Sequence, residues 1–278
     1  MGLDVACWRG FWKVVTMNVD GFLRHIRACR NAIVPGRRRE VRFRGSAVGF
    51  VAPETLRLLG LADADLDVPD QATFDRYARA VCTGGVLRWR DEAFDVRDPE
   101  GQVVATLDRG ALPVFGIEAM GVHMNGLVQT AEGWSLWIGK RNPNKLLDPG
   151  KLDHMVAGGV PAGMSLEETL AKEGAEEANI PGWLSLRARR VAEIRYAMER
   201  PEGLRRDVLF CYDLIVPPDF VPQPMDHEVI GFELWPIGRV IETVRDTDEF
   251  KFNVNLVLID LFLRLGLVES AELRRVLE

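Results

Sequence analysis

The sequence predicts an α+β protein built in two units, a smaller one over residues 1–118 and a larger one over 119–278. Three observations carry this. Helical spacing and two-residue alternation of apolar residues succeed one another along the whole chain. The character changes near Pro113 to Gly121, beyond which a strand, a glycine turn and a second strand follow and glycines and charges concentrate between Lys140 and Gly163. At 278 residues the chain exceeds the common single-domain size, which makes a seam near residue 118 reasonable.

Taken in order, Asp20 to Ala32 places Phe22, Leu23, Ile26, Ala28 and Cys29 at helical spacing, and Val41 to Phe50 alternates as one strand before Pro53. Short helices are expected over 54–61 and from Thr73 to Cys82. Between Val86 and Leu107 lie short strands around the turn Asp98-Pro99-Glu100-Gly101. His123 to Gln129 and Gly133 to Lys140 read as a strand, a glycine turn and a second strand. After a helix starting at Ser165 come strands at Ala188 to Tyr196 and Asp207 to Val216, the proline-rich loop Pro217 to Pro224, and a strand at Phe232 to Pro236. Helices from Ile237 to Arg245 and Asn253 to Leu265 follow.

Composition narrows the function classes. With 47% hydrophobic and 27% charged residues and a net charge of −6, the chain offers no general attraction to nucleic acid or to an anionic membrane. The basic run Arg37-Arg38-Arg39 with Arg42 and Arg44 reads as a solvated loop and strand edge, with a local anion patch as the alternative. Cys7, Cys29, Cys82 and Cys211 lack the spacing of a zinc site or a disulfide scaffold, so they are expected as free thiols in a reducing compartment. Trp8, Arg9, Trp12 and Lys13 interrupt the place where a secretory signal needs an apolar stretch, and the cytoplasm is the default location. The oligomeric state is left open, a homodimer among the options.

The chemistry concentrates in one helix. Ser165-Leu166-Glu167-Glu168 forms a capping box, and Asn179-Ile180-Pro181 stops the helix. Within it Glu173 and Glu177 lie one turn apart with Glu176 beside them, bordering the apolar stripe of Leu166, Leu170, Ala171, Gly174 and Ala178. Gly174 costs a helix roughly 1 kcal/mol relative to alanine, and close approach of another backbone is the expected reason. Like charges at this spacing repel one another, and hard oxygen donors so crowded suit Mg²⁺ or Mn²⁺. By composition alone a solvated acidic helix face is the favoured reading of the cluster.

Read with its flank, Gly158-Gly159-Val160-Pro161-Ala162-Gly163 through Lys172-Glu173-Gly174-Ala175-Glu176-Glu177-Ala178-Asn179-Ile180 resembles the Nudix box, G-x5-E-x7-R-E-U-x-E-E-x-G-U. Gly158 takes the first glycine, and Glu173, Glu176 and Glu177 the three metal carboxylates. Met164, Lys172, Gly174 and Asn179 depart from the pattern. These departures, with the string from Trp137 to Arg141, Lys145 and Pro149 to Gly159, resemble the thiamine-pyrophosphokinase-related branch of the superfamily. So do Leu107-Asp108-Arg109 to Phe115-Gly116, Gly121 to Gly126, Cys211 to Leu214 and Phe250 to Asn255. The similarity begins near residue 18, and Met17 is the expected natural start.

The resemblance implies a Nudix α/β/α sandwich with a mixed sheet behind an accessory α+β domain. It also implies Mg²⁺-dependent hydrolysis of thiamine diphosphate, or its oxo and oxy forms, to the monophosphate. Glu173, Glu176 and Glu177 would hold the metal, Glu177 centrally, and Glu228 would act as general base. Gly158 and Gly159, with the cations Arg141, Lys145 and Lys151, would meet the substrate; Lys251 and Asn253 resemble the branch pattern, and a substrate or phosphate role is expected for them. Trp137 either stacks on a substrate ring or belongs to the core. His123, His154 and His227 are expected to be structural. Rival functions are a Nudix hydrolase of ADP-ribose or a dinucleotide, and a non-catalytic Nudix-fold sensor.

Overall fold

The computed structural model describes residues 19–83, 87–145 and 147–277. The expectations for Cys7, the first tryptophans and Met17 lie outside these residues. The chain opens with α1 (Asp20–Cys29) and then β1 (Arg39–Phe43) and β2 (Ser46–Val51), which pair antiparallel. The single strand expected over 41–50 is therefore a hairpin. Arg44 and Gly45 adopt φ of 51° and 88°, and two successive left-handed residues make the tight turn that fits twisted strands. After α2 (Pro53–Leu58), β3 (Leu66–Val68) runs parallel to β1, and α3 (Gln71–Cys82) follows, its first turn held by Asp70, which accepts from the Thr73 amide at 2.8 Å. β4 (Ala93–Arg97) and β5 (Val103–Asp108) form a separate hairpin. These elements share a core of Val41, Phe43, Leu56, Phe74, Phe94 and Phe115.

The second half is organised on a seven-stranded sheet. Its strands are β6 (Glu118–Thr130), β7 (Gly133–Arg141), β8 (Leu152–Asp153), β9 (Val156–Gly159), β10 (Arg189–Arg200), β11 (Gly203–Ile215) and β12 (Val229–Pro236). The main path runs β10-β11-β6-β7-β12, with β8 beside β7 and β9 beside β6. β6 and β11 are parallel and the other pairs antiparallel, so the sheet is mixed as expected. Alternation along the strands sorts two layers. Val122, Met124, Trp137, Val208 and Phe210 face α4 (Leu166–Ala178) and the short α5 (Gly182–Ser185). Leu127, Leu136, Ile138, Leu209 and Cys211 face α6 (Ile237–Asp246), α7 (Val254–Arg264) and α8 (Ala271–Leu277).

α1 belongs to this second layer. Phe22, Leu23, Ile26 and Cys29 pack with Val240, Val244, Leu258 and Phe262, and α1 touches α6, α7, α8 and β10 rather than the sheet that follows it in sequence. Residues 41–117 share one cluster and the larger sheet carries one on each face, and the first helix sits with the sheet. Among the described residues no helix is long and apolar enough to cross a membrane.

Candidate active site

α4 is defined at both ends as its sequence requires. The Glu168 amide donates to Ser165 Oγ at 3.1 Å, the Ser165 amide donates to Glu168 Oε2 at 2.9 Å, and Asn179 closes the helix at φ 53°. With that phase, Glu177 is buried at 4% exposure and Glu173 turns toward β9, while Glu176 lies on the outer flank. Lys172, standing where the box has arginine, donates to Glu173 at 3.0 Å and to Glu176 at 2.7 Å.

Glycine at 158 is what lets α4 lie this close to β9. A Cβ there would be 2.3 Å from both Cγ and Cδ of Glu173. At Gly159 a Cβ would be 2.5 Å from the Phe94 ring, so the β4–β5 hairpin closes on the neighbouring glycine. Backbone bonds extend that seam: the Ala162 amide donates to Ala93 O at 2.8 Å, and the Gly163 amide to Asp95 Oδ1 at 3.3 Å. Gly174 serves a different purpose from the one expected. Its neighbours are side chains, Ser185 Oγ at 3.3 Å and Ile180 Cβ at 3.6 Å from a Cβ placed there, so the glycine admits the turn after α4 rather than a second backbone.

Electrostatically the buried acids crowd one another. Burial pushes the Glu177 carboxyl well above its ordinary pKa, and the charges of Asp153, Glu173 and Glu228 push further, opposed by the Ala157 amide donating to Oε2 at 2.7 Å. Burial likewise raises Glu173, with Lys172 opposing and Glu176 and Glu228 adding. Among the described residues no group of three Asp, Glu, His or Cys side chains stands in an arrangement that could hold a metal ion. The donors are otherwise engaged, Glu177 with Ala157 and the other two with Lys172. The all-oxygen donor set, the mutual repulsion of the acids and the Gly158 cradle nevertheless fit a hard divalent cation.

The remaining expected residues divide. Glu228 faces this site: its pKa is lowered despite burial, first through the 2.5 Å ion pair with Lys145 and then through the charges of Arg109 and Arg141. Lys251 is buried at 9%, with Nζ 3.6 Å from Asp153 Oδ2. Burial lowers its pKa against the attraction of Asp153, and Glu177 also acts on it. Asn253 is buried with Oδ1 unpartnered, just before α7. Trp137 is a core residue on the α4 face, its Nε1 also without a partner.

Arg141 and Lys151 point elsewhere. The Arg141 guanidinium binds Asp153 Oδ2 at 2.9 Å, Leu147 O at 3.0 Å and Asp148 O at 3.2 Å, bracing the loop before β8, and Lys151 donates to Asp248 O. His123 and His154 bond to each other at 2.9 Å in the interior, and burial lowers both, His154 to about 4, so they are neutral structural groups. The Asn142 amide side chain donates to His227 O at 2.9 Å. The basic run is neutralised locally by Glu199 for Arg38, Asp63 for Arg39, and Glu40 and Asp65 for Arg42.

Sequence reasoning gave no role to Asp153. It is buried at 3% and binds Arg141, Lys251 and the His154 amide, yet nothing in local periodicity distinguishes it from a loop aspartate. Phe94 carries no local signal either, because it meets Gly159 across the seam between the two halves.

Comparison with known proteins places this geometry in context. No protein-family model matches the chain. Over 180 residues, 64% of its length, it is 44% identical to "Nudix hydrolase 20, chloroplastic" of Arabidopsis thaliana, covering 48% of that protein. Over 163 residues, 59% of its length, it is 46% identical to "Nudix hydrolase 24, chloroplastic" of the same plant, covering 45% of it. The chain thus spans about half the length of the curated relatives it matches. A crystal structure from Deinococcus radiodurans superposes with a TM-score of 0.44 at 22% identity, over 60% of this chain and 97% of the other.

Proposed function

We infer that the chain is a member of the Nudix hydrolase superfamily and a divalent-metal-dependent pyrophosphohydrolase of small-molecule diphosphates, with thiamine diphosphate or its oxo and oxy analogues as substrate. The observation that carries the reading is the Gly158–Glu173 cradle, which presses a carboxylate-bearing helix onto a glycine strand at the positions of the box. Similarity to two named Nudix hydrolases supports the superfamily, and the branch-like strings outside the box support the substrate.

Glu173, Glu176 and Glu177 would hold Mg²⁺, or Mn²⁺, which when bound supplies charge neutralisation of the diphosphate and a more acidic water. The protein's own groups divide the remaining work. Gly158 lets the carboxylate-bearing helix close on the strand, and Gly159 makes room for the Phe94 ring, so both glycines shape the site rather than meet the phosphates. Lys172, bonded to Glu173 and Glu176, would have to release both for those carboxylates to hold a metal. Glu228, kept ionised by Lys145, accepts the proton of the attacking water. Water oxygen bonds to one phosphorus, the bridging P–O bond breaks, and a monophosphate and orthophosphate leave. Arg141 keeps the loop behind Asp153 in shape. Buried Cys29 and Cys211, both free thiols, agree with a reducing compartment, which we take to be the cytoplasm.

The test is a panel of thiamine diphosphate, its oxo and oxy analogues, ADP-ribose and dinucleoside polyphosphates with Mg²⁺, followed by release of monophosphate. Turnover of the thiamine compounds above the others is expected. Turnover of ADP-ribose or a dinucleotide instead would overturn the substrate, and no turnover of any would overturn the hydrolase reading.

A further inference from the structure

A cavity of about 390 Å³ opens between the two halves of the chain, within the roughly 300–1,000 Å³ range of small-molecule sites. Glu173, Glu176, Glu177 and Glu228 are not among its lining residues. One wall is the first unit, with Val48 and Phe50 of β2 and Phe94 of β4, and the other is the sheet, with Met120, Arg195 and Arg206. Register explains why these side chains gather. Arg206 of β11 is paired with Glu118 of β6, and Val208, two residues on, is flanked by Met120 of β6 and Arg195 of β10. Residues paired across strands, or two apart along one, share a face, so both arginines and Glu118 emerge on the α4 face with Val208. β2 is clamped to the same region: the Phe50 amide donates to Phe115 O at 2.8 Å, and a Cβ on Gly49 would be 2.3 Å from that oxygen.

Most charges around the cavity are spent on one another. Arg97 binds Asp95 at 2.9 Å, Asp98 accepts from the Gln102 amide at 2.8 Å, and Arg195 is held by Glu118 at 2.9 Å and by Glu193 at 2.8 Å. Arg206 has donors to spare among the described residues. Its Nη1 donates to Gly116 O at 3.1 Å, and its Nη2 stands 3.8 Å from a Glu118 carboxylate already taken by Arg195. The guanidinium lies 5.3 Å from the centre of the Phe50 ring. Burial lowers the Arg206 pKa, Glu118 opposes, and Arg195 adds to the lowering. A mostly buried cation with unspent donors, a like charge nearby and an aromatic ring against it suits an anion carried on a flat body.

We propose that this cavity is a second ligand site, for a small flat organic anion whose charged group meets Arg206 and whose ring lies along Phe50. The assignment goes beyond the pyrophosphohydrolase reading and does not depend on it. It gives the seam between the halves a binding role, because the cation comes from the sheet and the aromatic ring from the unit before it.

The test uses the full chain in EDTA, with phenyl phosphate as the probe and inorganic phosphate as its comparator, both titrated by calorimetry. The parent should bind phenyl phosphate more tightly than phosphate. Arg206→Gln should melt near the parent and bind phenyl phosphate about tenfold or more weakly. Phe50→Leu, which keeps the cation, should bring the probe down to the affinity of phosphate, and it decides if Arg206→Gln fails to fold. Glu177→Gln should bind the probe as the parent does. A parent that does not bind phenyl phosphate, or a folded Arg206→Gln or Phe50→Leu that binds it with parent affinity, overturns the site. Loss of binding in Glu177→Gln overturns it too, by seating the probe at the carboxylates. The hydrolase reading is decided separately, by turnover with Mg²⁺.

Discussion

Two buried carboxylates within one another's field, Asp153 and Glu177, have opposite environments. Burial works against ionising either. Asp153 is nonetheless held down to about 2, because Lys251 and Arg141 lie beside it. Glu177 accepts one amide bond and faces three further acids, so its carboxyl is driven up. A buried charge with cations around it is a structural element. A buried acid supplied with more acids is suited to a positive charge from outside, and under the proposed function that contrast makes Glu177 the candidate metal ligand and Asp153 a structural partner.

The sharpest way to break the comparison is to neutralise each acid in turn. Glu177→Gln should lose about a thousandfold or more in turnover while melting no lower than the parent, since it removes an uncompensated charge. A variant that kept its turnover would displace Glu177 from the site. Asp153→Asn should do the reverse in stability, costing about 3–5 kcal/mol by stranding Arg141 and Lys251, as read by urea unfolding.

The same aspartate sets a smaller, pH-dependent effect. Its folded pKa of about 2 lies below the ordinary 3.8, so its contribution is fully present above pH 3.8 and is lost as pH falls toward 2. The stability gap between parent and Asp153→Asn should therefore narrow over that window, and a gap that stayed constant would remove Asp153 from its cation cluster. The smallest effect belongs to the helix start: Ser165→Ala should cost about 1 kcal/mol and leave the Glu177 environment unchanged.

The sequence exposed the parts of this site whose signals are local. The capping box at Ser165 and the left-handed Asn179 bound α4, and the spacing of Glu173, Glu176 and Glu177 follows from those bounds. Long alternating runs marked β6, β7 and β11. The strand that receives Glu173 was harder to see, because β9 is four residues long and half glycine, so it has no alternation to read. Asp153 and Arg141 were indistinct for another reason. Whether a charged loop residue meets solvent, substrate or a buried partner is decided by elements distant in sequence, and Arg141 found its partners in the loop behind it. Gly174 was visible as an anomaly, but a helix glycine records close approach without saying whether backbone or side chain approaches.

The placement of α1 carries a consequence for how the chain is made. Phe22, Ile26 and Cys29 belong with residues of α6 and α7 more than two hundred positions later, and the whole 39–117 unit is threaded between them. During synthesis the amphipathic helix leaves the ribosome early and its partners late, so its apolar side must wait uncovered while the intervening core forms. Closing that long loop is a non-local step of the kind that slows folding. Chaperone capture of nascent chains should therefore be concentrated before α6 and α7 have emerged, and a truncation that spared the entire sheet but removed α1 would leave the far layer without its cover.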